Sequence, residues 1–276
     1  MTQLGPEFRC LNIQQLKSSK ILLIGDGCKD IYCFGSCTRI SPEAPVPIFN
    51  MIRAEEKDGM ALNVAKNLRG LGNEVDVVSN EEEIIKKRFI DKKTNQHLLR
   101  VDIGDMRPIR EISGKTISEI DFAKYDCLVI SDYNKGFITQ NASRIIIDAA
   151  LSYNKDYKIF VDSKKKDLGV FRGCILKINQ HEYKDASFGV RPGLDVIVTM
   201  GDQGATYKNK IYETDRVEMF DVCGAGDTFL SALVTANLSG FSIEESIVFA
   251  NKCASYSVRH LGAYGIKLED LDEIRF

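Results

Sequence analysis

Short apolar runs recur along the chain and predict a buried sheet. The runs are continuous rather than alternating, which is typical of strands buried on both faces of a parallel sheet. They lie at residues 21–24, 127–130, 159–161, 174–178 and 196–200. We therefore expect at least five central strands.

Helical spacing of apolar residues separates these runs. One set stops at Gly72 and consists of Ala61, Val64, Ala65, Leu68 and Leu71, and residues 143–153 form a second candidate helix. A third helix is predicted after the capping box of Ser242 and Glu245, with Ile247, Ala250, Ala254, Val258 and Leu261 as its core stripe. Strands that alternate with helices predict an α/β fold with a doubly wound, mainly parallel sheet.

Two segments do not fit this sheet. Residues 33–50 contain Pro42, Pro45 and Pro47, so we expect a poor helix and at best an edge strand there. Residues 86–103 predict two strands about the polar turn at 92–95. Together the segments predict a small β-sheet lid within a single domain that spans residues 1–276.

Composition limits the partners and the setting. The 276 residues are 44% hydrophobic, and 37 basic and 39 acidic residues give a net charge of -2. No global positive field points to nucleic acid or to an anionic membrane surface. Eight scattered cysteines without metal-type spacing, and an N-terminus without a leader-like apolar segment, make the cytoplasm the expected location.

The segment Gly224-Ala225-Gly226-Asp227 carries the strongest chemical signal. Small residues just before a helix let backbone N–H groups approach an anion, and the helix dipole favours phosphate there. Asp227 could then accept the proton of a hydroxyl that attacks the phosphoryl group. The alternative is a tight turn in which Asp227 only caps the helix.

Three further segments follow predicted strands. Gly201 and Gly204 lie in a glycine turn of the kind that meets nucleotides, or in an ordinary hairpin. Asn179 and Glu182 could hold hydrated magnesium through water, or be solvated loop residues. Asp30 ends a segment that could bind sugar hydroxyls, with a polar turn as the alternative.

Three basic residues flank the predicted lid hairpin. Lys86, Arg88 and Arg100 could grip a substrate phosphate through charge-assisted hydrogen bonds. Charges on an exposed hairpin are usually only solvated, and that reading stays open.

The Gly-Ala-Gly-Asp segment resembles the signature of the ribokinase, or phosphofructokinase B, family of carbohydrate kinases, and the likeness extends over most of the chain. The resemblance implies a ribokinase-like fold, with ATP and Mg²⁺ as cofactors and a monovalent cation as a further candidate. It assigns Asp227 as the base and Gly224, Ala225 and Gly226 as the anion hole. The implied nucleotide and magnesium positions are Asn179, Glu182, Thr199, Gly201, Gly204 and Asn251.

The resemblance also suggests an acceptor. The implied sugar positions are Asp30, Gly59 and Asn63. Together with Lys86, Arg88, Arg100 and Lys135 they make up the predicted substrate-binding residues. Segments 39–47, 95–102 and 131–136 are most similar to kinases of D-glycero-D-manno-heptose 7-phosphate, which act at the anomeric hydroxyl in the synthesis of lipopolysaccharide and related surface glycan precursors. Another sugar, sugar phosphate or nucleoside is an alternative acceptor, and so is a degenerate kinase fold that only binds a sugar or nucleotide.

Three departures from the family pattern bear on the acceptor. Met60 replaces the second of two glycines, Cys223 replaces a threonine, and the segment after Val78 is short. Exposed edges of a lid sheet also make a homodimer through the lid a further expectation.

Overall fold

The computed structural model describes residues 13–186 and 195–274, which form two sheets. The N-terminal segment before residue 13, with Cys10, lies outside these residues. The strands are β1 Lys20–Gly25, β2 Gly27–Ile40, β3 Pro47–Met60, β4 Glu74–Ser79, β5 Ile85–Asp91, β6 His97–Ile103, β7 Cys127–Asp132, β8 Lys158–Ser163, β9 Ile175–Asn179, β10 Asp195–Thr199, β11 Ala205–Tyr207 and β12 Lys210–Tyr212. The α-helices are α1 Ala61–Gly70, α2 Gly114–Ser118, α3 Gln140–Tyr153, α4 Gln180–Asp185, α5 Ala225–Leu238 and α6 Ile243–Ser257.

The main sheet has eight strands in the order β12-β11-β10-β9-β8-β7-β1-β4. Neighbours from β10 to β4 pair in parallel, whereas β11 and β12 pair antiparallel at one edge. Each of the five continuous apolar runs overlaps a strand that pairs in parallel, as predicted. Alternate residues of one strand point to opposite faces, so Ile21 and Leu23 pack in one core and Leu22 and Ile24 in the other.

Helices cover both faces of this sheet. Helices α1, α5 and α6 pack on the face of Leu23, and α3 packs on the face of Ile24. The α/β fold with a doubly wound, mainly parallel sheet is therefore confirmed. Helix α3 begins earlier than predicted because the Thr139 hydroxyl caps it by accepting from the amide of Ala142. Within the described ranges, no helix has the length and apolar character needed to cross a membrane.

The lid sheet has the order β3-β2-β5-β6. The hairpin of β5 and β6 matches the prediction for residues 86–103. Residues 33–50 were predicted to be a poor helix and at best an edge strand. The second part is wrong for β2, which is internal, and β2 and β3 each have 14 residues. The prolines do not interrupt pairing because Pro42 and Pro45 lie in the connection between the strands and Pro47 begins the edge strand β3.

Two shorter predictions also change. The segment around Asp30 is not a polar turn, because the chain passes from β1 to β2 through Asp26 alone. The core stripe of the C-terminal helix ends sooner than predicted, since α6 stops at Ser257. Leu261 instead packs under the lid against Tyr32, Phe34 and Ile90. The capping box of Ser242 and Glu245 is present as predicted.

Candidate active site

The glycine segment forms the first turn of α5 at the carboxyl end of the main sheet. Gly224 adopts a φ of 80°, which favours glycine, and a side chain there would come within 2.8 Å of the Asn63 amide nitrogen. A side chain at Gly226 would come within 2.9 Å of the Lys177 ammonium. The first amides of a helix have no partner within the helix, so the glycines leave room for an anion to reach them.

Asp221 holds this turn in shape. Its carboxylate accepts hydrogen bonds from the amides of Cys223 and Gly262, each at 2.9 Å. His97 of the lid lies 3.6 Å from the same carboxylate, and the amide of Ala263 donates to the hydroxyl of Tyr32, another lid residue. The turn before α5 is therefore tied to the lid through the loop that follows α6.

Asp227 is only 6% exposed, and both of its carboxylate oxygens accept hydrogen bonds. The Asn63 amide donates to Oδ2 at 2.8 Å, and the Tyr133 hydroxyl donates to Oδ1 at 2.7 Å. Burial raises the pKa of Asp227, while these two hydrogen bonds oppose the rise. The result is a buried carboxyl with a strengthened proton affinity at the start of a helix, which suits general base catalysis.

A cavity of 470 Å³ lies beside this carboxyl. It is lined by Gly224, Gly226 and Asp227, and also by the basic residues Lys164 and Lys177. Lys177 is 3% exposed and pairs with Asp162 at 2.7 Å. An ammonium group this close to the glycines adds positive charge where a transferred phosphoryl group would lie.

Sequence reasoning missed Lys177, Asp162 and Lys164 as site residues. A usable signal was present, since Lys177 is a charged residue inside one of the continuous apolar runs. A lysine in a strand buried on both faces needs a partner, and that partner marks a site.

Asn179 and Glu182 adopt a capping box at the start of α4. The Asn179 side chain accepts from the amide of Glu182, and Glu182 accepts from the amide of Asn179 and from the Lys164 ammonium. Glu182 therefore holds Lys164 at the cavity. Asp162 Oδ1, by contrast, is buried without a hydrogen-bond partner among the described residues, and Asp162 lines the cavity together with Asn179.

These oxygens fit a hydrated magnesium ion. Magnesium keeps several waters and needs only one or two protein carboxylates, so an orphaned carboxylate oxygen beside an amide is a suitable outer ligand set. In the part of the chain that the structure describes, there is no group of three or more histidine, cysteine or acidic side chains that could hold a metal directly. Any metal here would be held through water and nucleotide oxygens.

A second cavity, of 350 Å³, adjoins the first at Gly226. Its lining includes all four residues predicted for the nucleotide, namely Thr199, Gly201, Gly204 and Asn251. Gly201 and Gly204 also lie between the antiparallel strands β10 and β11, so the hairpin alternative holds as well. The Asn251 amide donates to the carbonyl of Tyr212 at 2.7 Å and thereby fixes one wall.

The residues predicted to bind the substrate are largely paired with acidic side chains. Asp30 and Arg88 form a salt bridge of 2.5 Å in which both side chains are 7% exposed. Arg100 pairs with Asp102, and Lys135 pairs with Asp105 at 2.6 Å. The ammonium of Lys86 lies 5.3 Å from the Tyr133 ring, which places this lysine next to the cavity.

Met60 follows Gly59, and its φ of 58° lies in the region that favours glycine. Its side chain is 3% exposed and packs against Cys28 and Ile84. Gly59 next to it has no room for a side chain, because Asp30 Oδ2 lies 2.6 Å from where a Cβ would be. Met60 therefore fills space between the lid and the main sheet.

A glycine turn with a buried carboxyl at the carboxyl end of an α/β sheet, under a small second sheet, is an arrangement suited to phosphoryl transfer. Residues 180–270 match the pfkB family carbohydrate kinase model. The family and the kinase class predicted from the sequence are thereby confirmed.

Named relatives agree with this class. The bifunctional protein HldE of Aliarcobacter butzleri is 32% identical over 93% of the chain, and that of a Nitratiruptor species is 30% identical over 92%. The chain spans 64% of the length of each. The structure of phosphofructokinase-2 from Escherichia coli superposes with a TM-score of 0.72 over 94% of the chain and 98% of that protein, at 16% identity, which supports the ribokinase-like fold.

Proposed function

We propose that this protein is a magnesium-dependent kinase that transfers the γ-phosphoryl group of ATP to a sugar phosphate. The proposal rests on the position of Asp227. Its buried carboxyl lies in the first turn of α5, next to the glycine turn, and lines the cavity of 470 Å³. The attacking hydroxyl gives its proton to Asp227, and the amides of residues 224–226 with Lys177 stabilise the charge on the transferred group.

ATP would extend across the two adjoining cavities. The base and ribose would lie in the cavity bounded by Gly204 and Asn251, and the phosphates would reach Gly226, where the cavities meet. Asp162 and Asn179 would hold magnesium through water, and the ion would neutralise charge on the phosphates. Lys164 is kept beside these phosphates by Glu182.

The best candidate acceptor is D-glycero-D-manno-heptose 7-phosphate, phosphorylated at the anomeric hydroxyl. Relatives named bifunctional protein HldE support this choice. So do segments 39–47, 95–102 and 131–136, which resemble heptose-phosphate kinases. Of the three predicted phosphate ligands, Lys86 is the one beside Tyr133, whereas Arg88 and Arg100 are paired with aspartates.

A coupled assay of ADP release tests the proposal. The acceptors are the heptose 7-phosphate, fructose phosphates, ribose and adenosine, each with and without magnesium. We expect magnesium-dependent release with a sugar phosphate. Activity confined to unphosphorylated sugars would contradict the sugar-phosphate assignment, and no release with any acceptor would favour the second candidate.

That second candidate is a kinase fold that binds a sugar or nucleotide without turnover. Met60 favours it, because a bulky side chain fills the position of a glycine. The salt bridge between Asp30 and Arg88 also favours it, since it occupies a carboxylate predicted to bind sugar hydroxyls. The intact Asp227 and its cavity support turnover instead.

Replacing Met60 by glycine is expected to widen the acceptor range. The change removes a buried side chain and relieves a backbone conformation that costs a non-glycine residue about 1–3 kcal/mol. We expect kcat/KM for the bulkier acceptors of the panel to rise by about tenfold or more, the scale at which pocket volume discriminates substrates. Met60→Leu keeps the bulk and should keep the wild-type preference. An unchanged preference in Met60→Gly would show that Met60 does not shape the acceptor site.

The lid is expected to pair with a second copy of the chain. Met51 and Ile52 of the edge strand β3, Leu99 of the edge strand β6 and Ile40 at the end of β2 are each more than half exposed. Exposed apolar strands at a sheet edge favour association. Sedimentation should give the mass of two chains, and Met51→Lys should give one. The control is Met106→Lys, because Met106 is also an exposed methionine but lies outside the lid strands. A monomeric wild-type protein would contradict this prediction.

A further inference from the structure

Tyr133 occupies a hydrogen-bond position on the proposed base. The Asn63 amide, on the buried face of α1, donates a hydrogen bond to Oδ2 of Asp227. The Tyr133 hydroxyl takes Oδ1 at 2.7 Å, and Tyr133 lines the same cavity as Asp227, Gly224 and Gly226. A base must be hydrogen-bonded to the hydroxyl that it deprotonates. The phenol therefore competes with an acceptor hydroxyl for Oδ1 on the cavity side of Asp227.

The backbone around Tyr133 fixes it in this place. The residue directly follows β7, and its amide donates to Oδ2 of the fully buried Asp26 at 2.7 Å. The next residue, Asn134, turns the chain away with a φ of 57°. Tyr133 is thus anchored at its backbone, and its side chain reaches Asp227 from the cavity side.

Two ammonium groups flank the ring. Lys86 of the lid lies 5.3 Å from the ring centroid, and Lys164, which directly follows β8, lies 4.9 Å from it. The ring also packs against the apolar cluster of Cys28, Met60 and Ile84. Burial raises the pKa of Tyr133 well above its ordinary value, so its hydroxyl stays protonated and remains a donor. Both lysines are also placed to attract a phosphorylated substrate, which would compete with the ring for them.

We propose that Tyr133 takes the place of the acceptor hydroxyl on Asp227 until the acceptor binds, and that it thereby suppresses hydrolysis of ATP. This inference rests on the proposed kinase function. In the suppressed reaction, a water oxygen would bond to the γ-phosphorus while the bond from that phosphorus to the ADP oxygen breaks. The water proton would pass to Asp227, giving ADP and phosphate. The protein donors occupy one lone pair on each carboxylate oxygen, and the phenol, which lines the cavity, hinders the approach of that water to the other lone pair of Oδ1.

The test is Tyr133→Phe, which removes the hydroxyl and keeps the ring. Without an acceptor, phosphate release from ATP in the presence of magnesium should rise by about tenfold or more. This rise is smaller than the full contribution of a positioned general base. The control is Tyr125→Phe. Tyr125 also donates to an aspartate, Asp76 at 2.9 Å, but it precedes the opposite end of β7. The control should hydrolyse ATP at the wild-type rate.

Two further measurements separate this role from a purely structural one. The KM for the acceptor should fall in Tyr133→Phe, because the acceptor no longer displaces the phenol, whereas a damaged site would raise it. The added hydrolysis should vanish in Tyr133→Phe combined with Asp227→Asn. Thermal unfolding of each variant shows whether it is folded.

The outcomes distinguish this inference from the proposed function. If the wild-type protein phosphorylates an acceptor and hydrolysis in Tyr133→Phe is unchanged or lower, the inference is overturned while the kinase assignment stands. If no acceptor of the panel is phosphorylated but Tyr133→Phe gains hydrolysis that depends on Asp227, the inference stands and the acceptor assignment fails.

Discussion

Asp227→Asn is expected to lower kcat for the phosphorylated acceptor by about a hundredfold to ten-thousandfold, the range that a positioned general base contributes. The amide cannot accept the proton of the attacking hydroxyl, while the glycine turn and the nucleotide cavity are unchanged. ATP affinity, measured by titration calorimetry or by fluorescence of a labelled nucleotide, should therefore stay close to the wild-type value. Near-normal turnover would exclude Asp227 as the base.

The pH dependence of the wild-type enzyme gives an independent check on this role. Burial raises the pKa of Asp227, and the base must be deprotonated to act. As the pH falls, kcat/KM should decline through a pKa that lies above the ordinary value of an aspartate. In Asp227→Asn this decline should be absent from the residual activity. A wild-type decline at the ordinary pKa of an aspartate would contradict the buried environment.

The parts of the fold that depend on local pattern could be predicted from the sequence. Continuous apolar runs mark strands that are covered on both faces, so β1, β7, β8, β9 and β10 were found. Capping chemistry is equally local, and the box of Ser242 and Glu245 was predicted correctly. The Gly-Ala-Gly-Asp segment was placed at the start of a helix because glycines and an acidic first turn are local signals as well.

The parts that depend on distant contacts could not be predicted. The prolines near residue 45 argue against strands locally, but β2 is stabilised by pairing with β5, which lies far along the chain beyond β3, α1 and β4. The partners of Asp227 come from α1 and from the loop after β7, which are 164 and 94 residues away. The pairing of Asp30 with Arg88 likewise depends on the register of β2 with β5. No spacing rule in the sequence encodes these distances.

Lys177 is one of the cavity residues that sequence reasoning missed, and its replacement is expected to have a large effect. Lys177→Met should lower kcat by about a hundredfold to a thousandfold, the cost of removing one group that stabilises developing charge. It should also lower the free energy of unfolding by about 3–5 kcal/mol, because Asp162 would be left buried without its partner. Steady-state kinetics and chemical denaturation measure the two effects.

Lys165→Met is the matched control. Lys165 also forms a buried pair with an aspartate, Asp132 at 2.6 Å, from the segment that follows β8. Breaking that pair should cost a similar free energy of unfolding, yet Lys165 does not line the cavity beside the glycine turn. At a temperature where both variants are folded, Lys165→Met should therefore keep most of its kcat and Lys177→Met should not. Equal losses of kcat in the two variants would show that Lys177 acts only through the stability of the fold. The Lys177 ammonium beside Gly226 would then have no part in phosphoryl transfer.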